Sequence, residues 1–163
     1  MCASRNRNFA DDILTFSVYS DEHFMKQALK EAEIAYKEGE IPVGAVVVCE
    51  NRIIAKDHNR VERLQDATAH AEMLSLTAAQ NYLGSKYLNE CTLYVTLEPC
   101  SMCAGGLFWT QIGKIVIGAM DKQRGYSNFS SDIVHPKTKL EHGVLASECE
   151  VLLKNFFKKI RGN

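Results

Sequence analysis

The stretch Cys91–Cys103, CTLYVTLEPCSMC, decides the fold. Cys91 to Leu97 is an apolar run of strand length rich in β-branched and aromatic residues, so it reads as a buried strand. Glu98 and Pro99 end it. Pro99 suits the first turn of a helix, where its missing N–H is not needed. That helix is expected to run to about Thr110, and Lys114–Ala119, KIVIGA, reads as the next strand.

Upstream, Asp21 opens a helical pattern in which Phe24, Met25, Ala28, Leu29, Ala32 and Ala35 recur at helical spacing, and Gly39 ends it as a C-cap. Pro42 leads into an apolar strand, Val43–Cys49. Glu50-Asn51 is a two-residue turn signal, and Arg52–Lys56 reads as a second strand. So short a connection requires an antiparallel hairpin. Asn59–Thr68 is polar and expected as a loop. Ala69–Tyr82 reads as a helix, with Asp66 or Thr68 near its N-cap. Downstream, residues 120–137 read as irregular, a short strand falls near Thr138–His142, and Ser147 is expected to cap an amphipathic helix to about Lys159. The order α-β-β-α-β-α-β-loop-β-α implies an α/β fold: a three-layer α-β-α sandwich around one mixed five-stranded sheet.

The 163 residues are 46% hydrophobic and 24% charged, with 10 Gly and 3 Pro, which excludes collagen-like, low-complexity and disordered classes. One domain is expected over residues 21–163, preceded by a loose extension at residues 1–20. No apolar run approaches the roughly 18 residues that span a membrane, so no membrane association is expected. The opening residues have no secretory signal pattern, and a reducing cytoplasm is the expected compartment. Cys2, Cys49, Cys91 and Cys149 then read as small hydrophobes. The net charge is −1, but it divides unevenly. Residues 1–100 carry 10 basic and 15 acidic side chains; residues 101–163 carry 9 and 5. Lys154, Lys158, Lys159 and Arg161 crowd the last 13 residues, where there is no acid. A solvated helix end, favoured by the helix dipole, accounts for such a run as well as a binding surface does.

Cys100 and Cys103, three apart at a helix start, lie on one face where the dipole favours thiolates. Two readings follow: a thioredoxin-type redox pair or two zinc ligands. His70 shifts the balance, as it opens a separate helix and stands two residues before Glu72. One His and two Cys make three protein ligands, the number that leaves a fourth position for water in catalytic zinc sites. His58, His135 and His142 look isolated in strand or loop ends and offer no fourth ligand. Glu72 can then act as the carboxylate beside the activated water, the competing reading being a first-turn Glu stabilised by the dipole. Both helix starts can face the crevice at one edge of the sheet, where open α/β sheets bind ligands.

His70-Ala71-Glu72 followed by Pro99-Cys100-Ser101-Met102-Cys103 has the signature of the zinc-dependent nucleobase deaminases. The segments EIPVGAVVV, TAHAEM, TLYVTLEPCSMCAGG and ECEVLLKNFFKKIR more closely resemble the bacterial tRNA-specific adenosine deaminase family, over about Asp21 to Arg161. The resemblance implies a cytidine deaminase-like fold and hydrolytic conversion of the wobble adenosine of a tRNA anticodon to inosine. It implies one zinc per chain held by His70, Cys100 and Cys103, with Glu72 as proton shuttle and no nucleotide cofactor. Asn59 matches the base-contacting Asn, and Asp121 a position near the RNA. Phe156 and Phe157 match the aromatic pair of the last helix; core packing is the favoured role for both, and contact with a nucleotide, with Phe156 as the candidate, is the alternative. The backbone N–H at Ala71 and those near Cys100 are candidates to polarise the substrate. Lys158 and Lys159 are candidate contacts to the anticodon stem-loop. The family's homodimer points to the helix after Pro99, through Gly105, Gly106, Leu107, Phe108 and Trp109. Ser101 and Gly106 depart from the common PCVMCAGA pattern without removing a required group. A deaminase of guanine or another free nucleobase is the nearest alternative. A thiol–disulfide protein and a zinc-stabilised RNA-binding module are rivals of other classes.

Overall fold

Two sets of alternating side chains, one for each face of a sheet, organise the molecule. The computed structural model describes residues 19–162. The proposed extension at residues 1–20 lies outside them except for Tyr19 and Ser20, and so does Cys2. Ser20 begins the fold as an N-cap. Its hydroxyl accepts from the His23 N–H (3.1 Å), and helix α1 follows at Asp21–Glu38. Gly39 closes the helix with a left-handed φ of 80°, a conformation that costs a glycine little.

Strands β1 (Gly44–Cys49) and β2 (Arg52–His58) form the expected hairpin. Glu50 and Asn51 both have positive φ, 49° and 60°, as a tight turn matched to strand twist requires. β2 runs two residues past the expected end. The added pair, Asp57 and His58, is held by the ladder to Ala45 and Gly44. Helix α2 (Val61–Leu64) is one turn where a loop was expected. It has no local cap. Its first amides are instead bound by a distant carboxylate, Glu40, described below.

Helix α3 (Ala71–Leu83) begins after His70, not after Asp66 or Thr68. Asp66 is engaged elsewhere: its Oδ1 accepts from the backbone and hydroxyl of Thr68 (2.8 and 2.7 Å), forming the preceding turn. β3 (Cys91–Leu97) and α4 (Ser101–Trp109) follow, then β4 (Lys114–Ala119), β5 (Lys139–His142) and α5 (Ala146–Arg161). Pro99 stands just before the α4 N-cap, Cys100, and not in the first turn. Nor does Ser147 cap α5. The helix starts at Ala146 behind a left-handed Leu145, and Val144 and Leu145 pack against the core, so apolar packing sets this start in place of a side-chain cap.

The sheet order is β2-β1-β3-β4-β5, antiparallel for β2-β1 and β1-β3 and parallel for β3-β4 and β4-β5. It is the mixed five-stranded sheet that the order of elements implied. Val46, Val48, Tyr94 and Val116 point to one face and pack with Phe24, Met25, Ala28 of α1 and Cys149 of α5. Ala45, Val47, Leu93, Val95, Ile115 and Ile117 point to the other, against Ala71, Leu76, Ala79 of α3 and Leu107 of α4. Helices therefore cover both faces. α1 lies so close on β1 that a Cβ at Gly44 would sit 2.0 Å from the Ala28 carbonyl oxygen, which only glycine permits. Register brings the end of β2 (His58) to the start of β1 (Gly44), and the end of β3 (Leu97) to the end of β4 (Ala119). Asn59, Glu98–Cys100 and Asp121 thus emerge along one edge of the sheet.

Candidate metal centre and cleft

Three side chains from two helix starts meet at that edge. His70 is the N-cap of α3, Cys100 the N-cap of α4, and Cys103 the third residue of α4. His70 Nδ1 stands 3.7 Å from Cys100 Sγ and 3.5 Å from Cys103 Sγ, and the three ligand atoms lie within 4.8 Å of one another. For tetrahedral zinc, with bonds of about 2.0–2.1 Å to nitrogen and about 2.3 Å to sulfur, an N···S separation of about 3.6 Å follows. The donor set and its spacing fit that ion. Among the described residues no fourth His, Cys or carboxylate joins the cluster.

The protons of this cluster are unevenly held. The Cys103 thiol, then contact with His70 and the Cys103 backbone N–H, pull the Cys100 thiol down to about 4. Contact with Cys100, then the nearby Glu72 carboxylate, raises His70. Cys103 is pushed up by the Cys100 sulfur and by burial. Cys100 is therefore the thiol of the pair that gives up its proton more readily. A bound dication displaces the remaining protons, since metal binding and deprotonation are linked. Glu72, in the first turn of α3, is 4% exposed, and burial pushes its carboxyl up to about 7. It lies within hydrogen-bonding reach of Cys103.

Glu72 opens on a cleft of about 970 Å³. His70, Ala71, Cys100, Asn59, Asp121 and Phe156, all singled out in the sequence, line it. Ala71 holds the first position of α3, where a backbone N–H has no acceptor within the helix. Asp121 folds back on its own loop: its Oδ1 accepts from Gln123 N–H (2.9 Å) and Arg124 N–H (3.0 Å). Phe156 is 5% exposed and meets Tyr36 edge to face at 5.8 Å. Core packing, expected for both phenylalanines, fails for Phe157, which is 37% exposed at the cleft rim. Adjacent positions on a helix point about 100° apart, so one core contact excludes the other. Lys158 lines a shallow groove on α5 with Lys154, Phe157 and Arg161. Lys159 is not part of the cleft; its ammonium lies 5.4 Å from the Tyr36 ring centroid. On α4, Gly106 receives Met73 of α3, 2.9 Å from where a Cβ would be, while Gly105 faces open space and Trp109 is 77% exposed.

Three polar residues of this region were not anticipated. Glu40 and Glu98 are buried carboxylates that line the cleft. Glu98 accepts from Asp121 N–H (3.1 Å) and Ser127 N–H (3.0 Å), seating the 121–127 loop against the end of β3. His58 is not isolated. It is buried, with Nδ1 3.1 Å from Glu31 and Nε2 3.0 Å from Glu38. The position of Glu98, directly between a buried strand and Pro-Cys, is the sequence signal that could have marked it. Glu40 has none, because its partners are 19 to 23 residues away.

A mixed sheet edged by two helix starts that carry His and Cys-x-x-Cys, with a buried Glu between them, defines a zinc-dependent hydrolytic enzyme of the deaminase type. Residues 18–119 match the cytidine and deoxycytidylate deaminase zinc-binding region, and the chain belongs to that family. It is 46% identical over 147 residues to the tRNA-specific adenosine deaminase of Aquifex aeolicus, covering 87% of this chain and 97% of that relative. A structure from a study of A-to-I editing by tRNA:A34 deaminases at the wobble position of transfer RNA superposes with a TM-score of 0.76 at 39% identity. The match covers 80% of this chain and 99% of that one. The guanine deaminase of Bacillus subtilis is 37% identical over less of the fold, 62% of this chain and 65% of that one, with a TM-score of 0.59. A guanine deaminase of Nitrosomonas europaea also shares the fold over 84% of both chains, with a TM-score of 0.71, but at 24% identity; near full-length coverage together with about 40% identity or more is found with the tRNA-specific deaminases. Among the described residues no helix is long and apolar enough to cross a membrane.

Proposed function

We propose that this chain hydrolyses adenosine to inosine and ammonia at the wobble position of a tRNA anticodon, through a deaminase domain at residues 21–163. The observation that carries the reading is the cleft itself. A buried carboxylate beside a three-ligand cluster forms its floor, and an aromatic and basic helix, α5, forms its rim. A free base needs no such rim, whereas a nucleotide splayed out of an anticodon loop presents a base to the floor and phosphates to the edge. The extent of the likeness to tRNA-specific adenosine deaminases supports the same choice.

His70, Cys100 and Cys103 would hold one zinc per chain. Zinc, when bound, lowers the pKa of a coordinated water towards neutrality and so supplies a nucleophile for C6 of the base. Glu72 takes up a proton from the attacking water and gives it to N1 of the ring, then takes the second proton of that water, now the C6 hydroxyl, and gives it to the departing amine as the C6–N bond breaks. Its burial serves this, because a carboxyl poised near neutral pH both accepts and gives up a proton readily. Asn59 contacts the base edge, and the first-turn N–H groups of α3 and α4 polarise it. Phe157 packs beside the splayed nucleotide, while Lys158 and its α5 neighbours meet phosphates. A second copy of the chain is expected to cover Trp109 on α4.

The test is incubation with tRNA transcripts and a read-out of inosine at the wobble position. Inosine there supports the reading. Efficient turnover of free guanine, with an anticodon stem-loop bound no better than a random hairpin, overturns it.

A further inference from the structure

Glu40 follows the end of α1 and is 2% exposed, yet no basic side chain among the described residues forms a salt bridge with it. Its oxygens are taken by three donors from one short segment. Oε2 accepts from Asn59 Nδ2 (3.2 Å) and from Glu62 N–H (3.2 Å), and Oε1 accepts from Arg63 N–H (2.8 Å). The Asn59 backbone N–H is itself fixed to the Val43 carbonyl (3.0 Å).

Both Glu40 oxygens accept from backbone N–H groups, so the amide atom that faces Oε2 is the nitrogen, Nδ2. The orientation of the Asn59 amide, ambiguous from shape alone, is thereby determined by its hydrogen-bond partner. No side-chain nitrogen or oxygen among the described residues is both buried and unpartnered. Asn59 Oδ1, which takes no hydrogen bond among the described residues, is therefore open to the cleft that Asn59 lines. One Nδ2 hydrogen is given to Glu40, leaving one N–H and the carbonyl as a donor–acceptor fork.

We propose that Glu40 is a positioning residue for catalysis: it locks the Asn59 amide in one orientation, so that the cleft meets the base with one N–H beside one carbonyl. This rests on the assignment of Asn59 as a base contact. The fork is matched by a purine edge that sets a ring acceptor beside an exocyclic amine, as N7 and N6 of adenine do. Guanine, with acceptors at both N7 and O6, opposes the carbonyl. Glu40 thereby acts on selection of the base without touching it.

A double-mutant cycle separates this role from simple support of the loop. Glu40→Gln and Asn59→Ala are made singly and together, and kcat/KM for an anticodon stem-loop is measured with zinc content and Tm for each. In the parent background Glu40→Gln is expected to lower kcat/KM about 10-fold or more, as loss of a charged hydrogen-bond partner does. In the Asn59→Ala background the same change should cost less than about 2-fold, because the group through which it acts is gone. Equal losses in both backgrounds overturn the proposal and assign Glu40 to the backbone of α2. A second measurement needs no turnover. The Asn59 side-chain NH₂ resonances, identified by their absence in Asn59→Ala, should exchange slowly with solvent in the parent and fast in Glu40→Gln and in the shorter Glu40→Asp. Unchanged exchange in a folded Glu40 variant also overturns the lock. If the parent enzyme fails on the stem-loop while the exchange result holds, the substrate reading falls and the lock stands.

Discussion

At Glu72, removing the charge while keeping the shape separates proton transfer from metal binding. Glu72→Gln is expected to retain zinc and fold but to lose deamination by about 10²–10⁴-fold, the usual weight of a general acid–base group. Loss of metal in that variant, read by metal analysis, would make Glu72 a ligand. Cys103→Ala should do the opposite and strip the zinc, because three protein ligands leave none to spare. Full zinc content in single variants of His70, Cys100 and Cys103 would sink the assignment. Asn59 illustrates how position and orientation differ in what they require. Its place on the cleft was implied by the resemblance to the deaminase family, but the direction of its amide depends on Glu40, 19 residues upstream, and no local pattern encodes that pairing.

Among the elements, α5 is the one proposed to meet a polymer substrate. Changing Lys158, Lys159 and Arg161 together to Gln should weaken stem-loop binding and flatten its salt dependence, by roughly 0.7–0.9 in log–log slope for each phosphate no longer neutralised. Zinc content should stay constant. Lys159 is expected to contribute least, since its ammonium lies over Tyr36 and away from the cleft. A slope unchanged in the triple variant would remove α5 from the RNA surface. Elements with strong apolar periodicity, such as α1 and β3, were legible in the sequence almost to their ends, because burial of alternating or helical faces dictates them locally. What was not legible depends on partners far along the chain. α2 forms because Glu40 binds its amides, α3 begins late because Asp66 is spent on Thr68, and α5 begins early because Val144 and Leu145 seek the core. The metal cluster was readable because its chemistry requires particular residue types, whereas the buried acids around it required the fold.

For the molecule as a whole, acid stability should track the ion network that joins α1 to β2. Burial pushes the Glu31 carboxyl up, but Lys56 (2.9 Å) and His58 (3.1 Å) outweigh it and hold it below the ordinary range. A carboxyl lowered in the folded state adds stability above its unfolded pKa of about 4.3, and that stability is lost as pH falls through the folded value. Glu31→Gln should therefore lower Tm at pH 7, and its curve should converge on that of the parent below about pH 4. A Tm gap that is constant from pH 7 to pH 3 would contradict the linkage. The hairpin turn at Glu50-Asn51 has a different use. It sits at the far end of β1 from Gly44, about 20 Å from the cleft edge at roughly 3.3 Å per residue. A fluorophore or affinity handle spliced into that turn would project away from the proposed nucleic-acid surface, whereas cargo borne on the tail of α5 would stand on it. Of the two, the turn is the place from which to watch or immobilise this enzyme while it works.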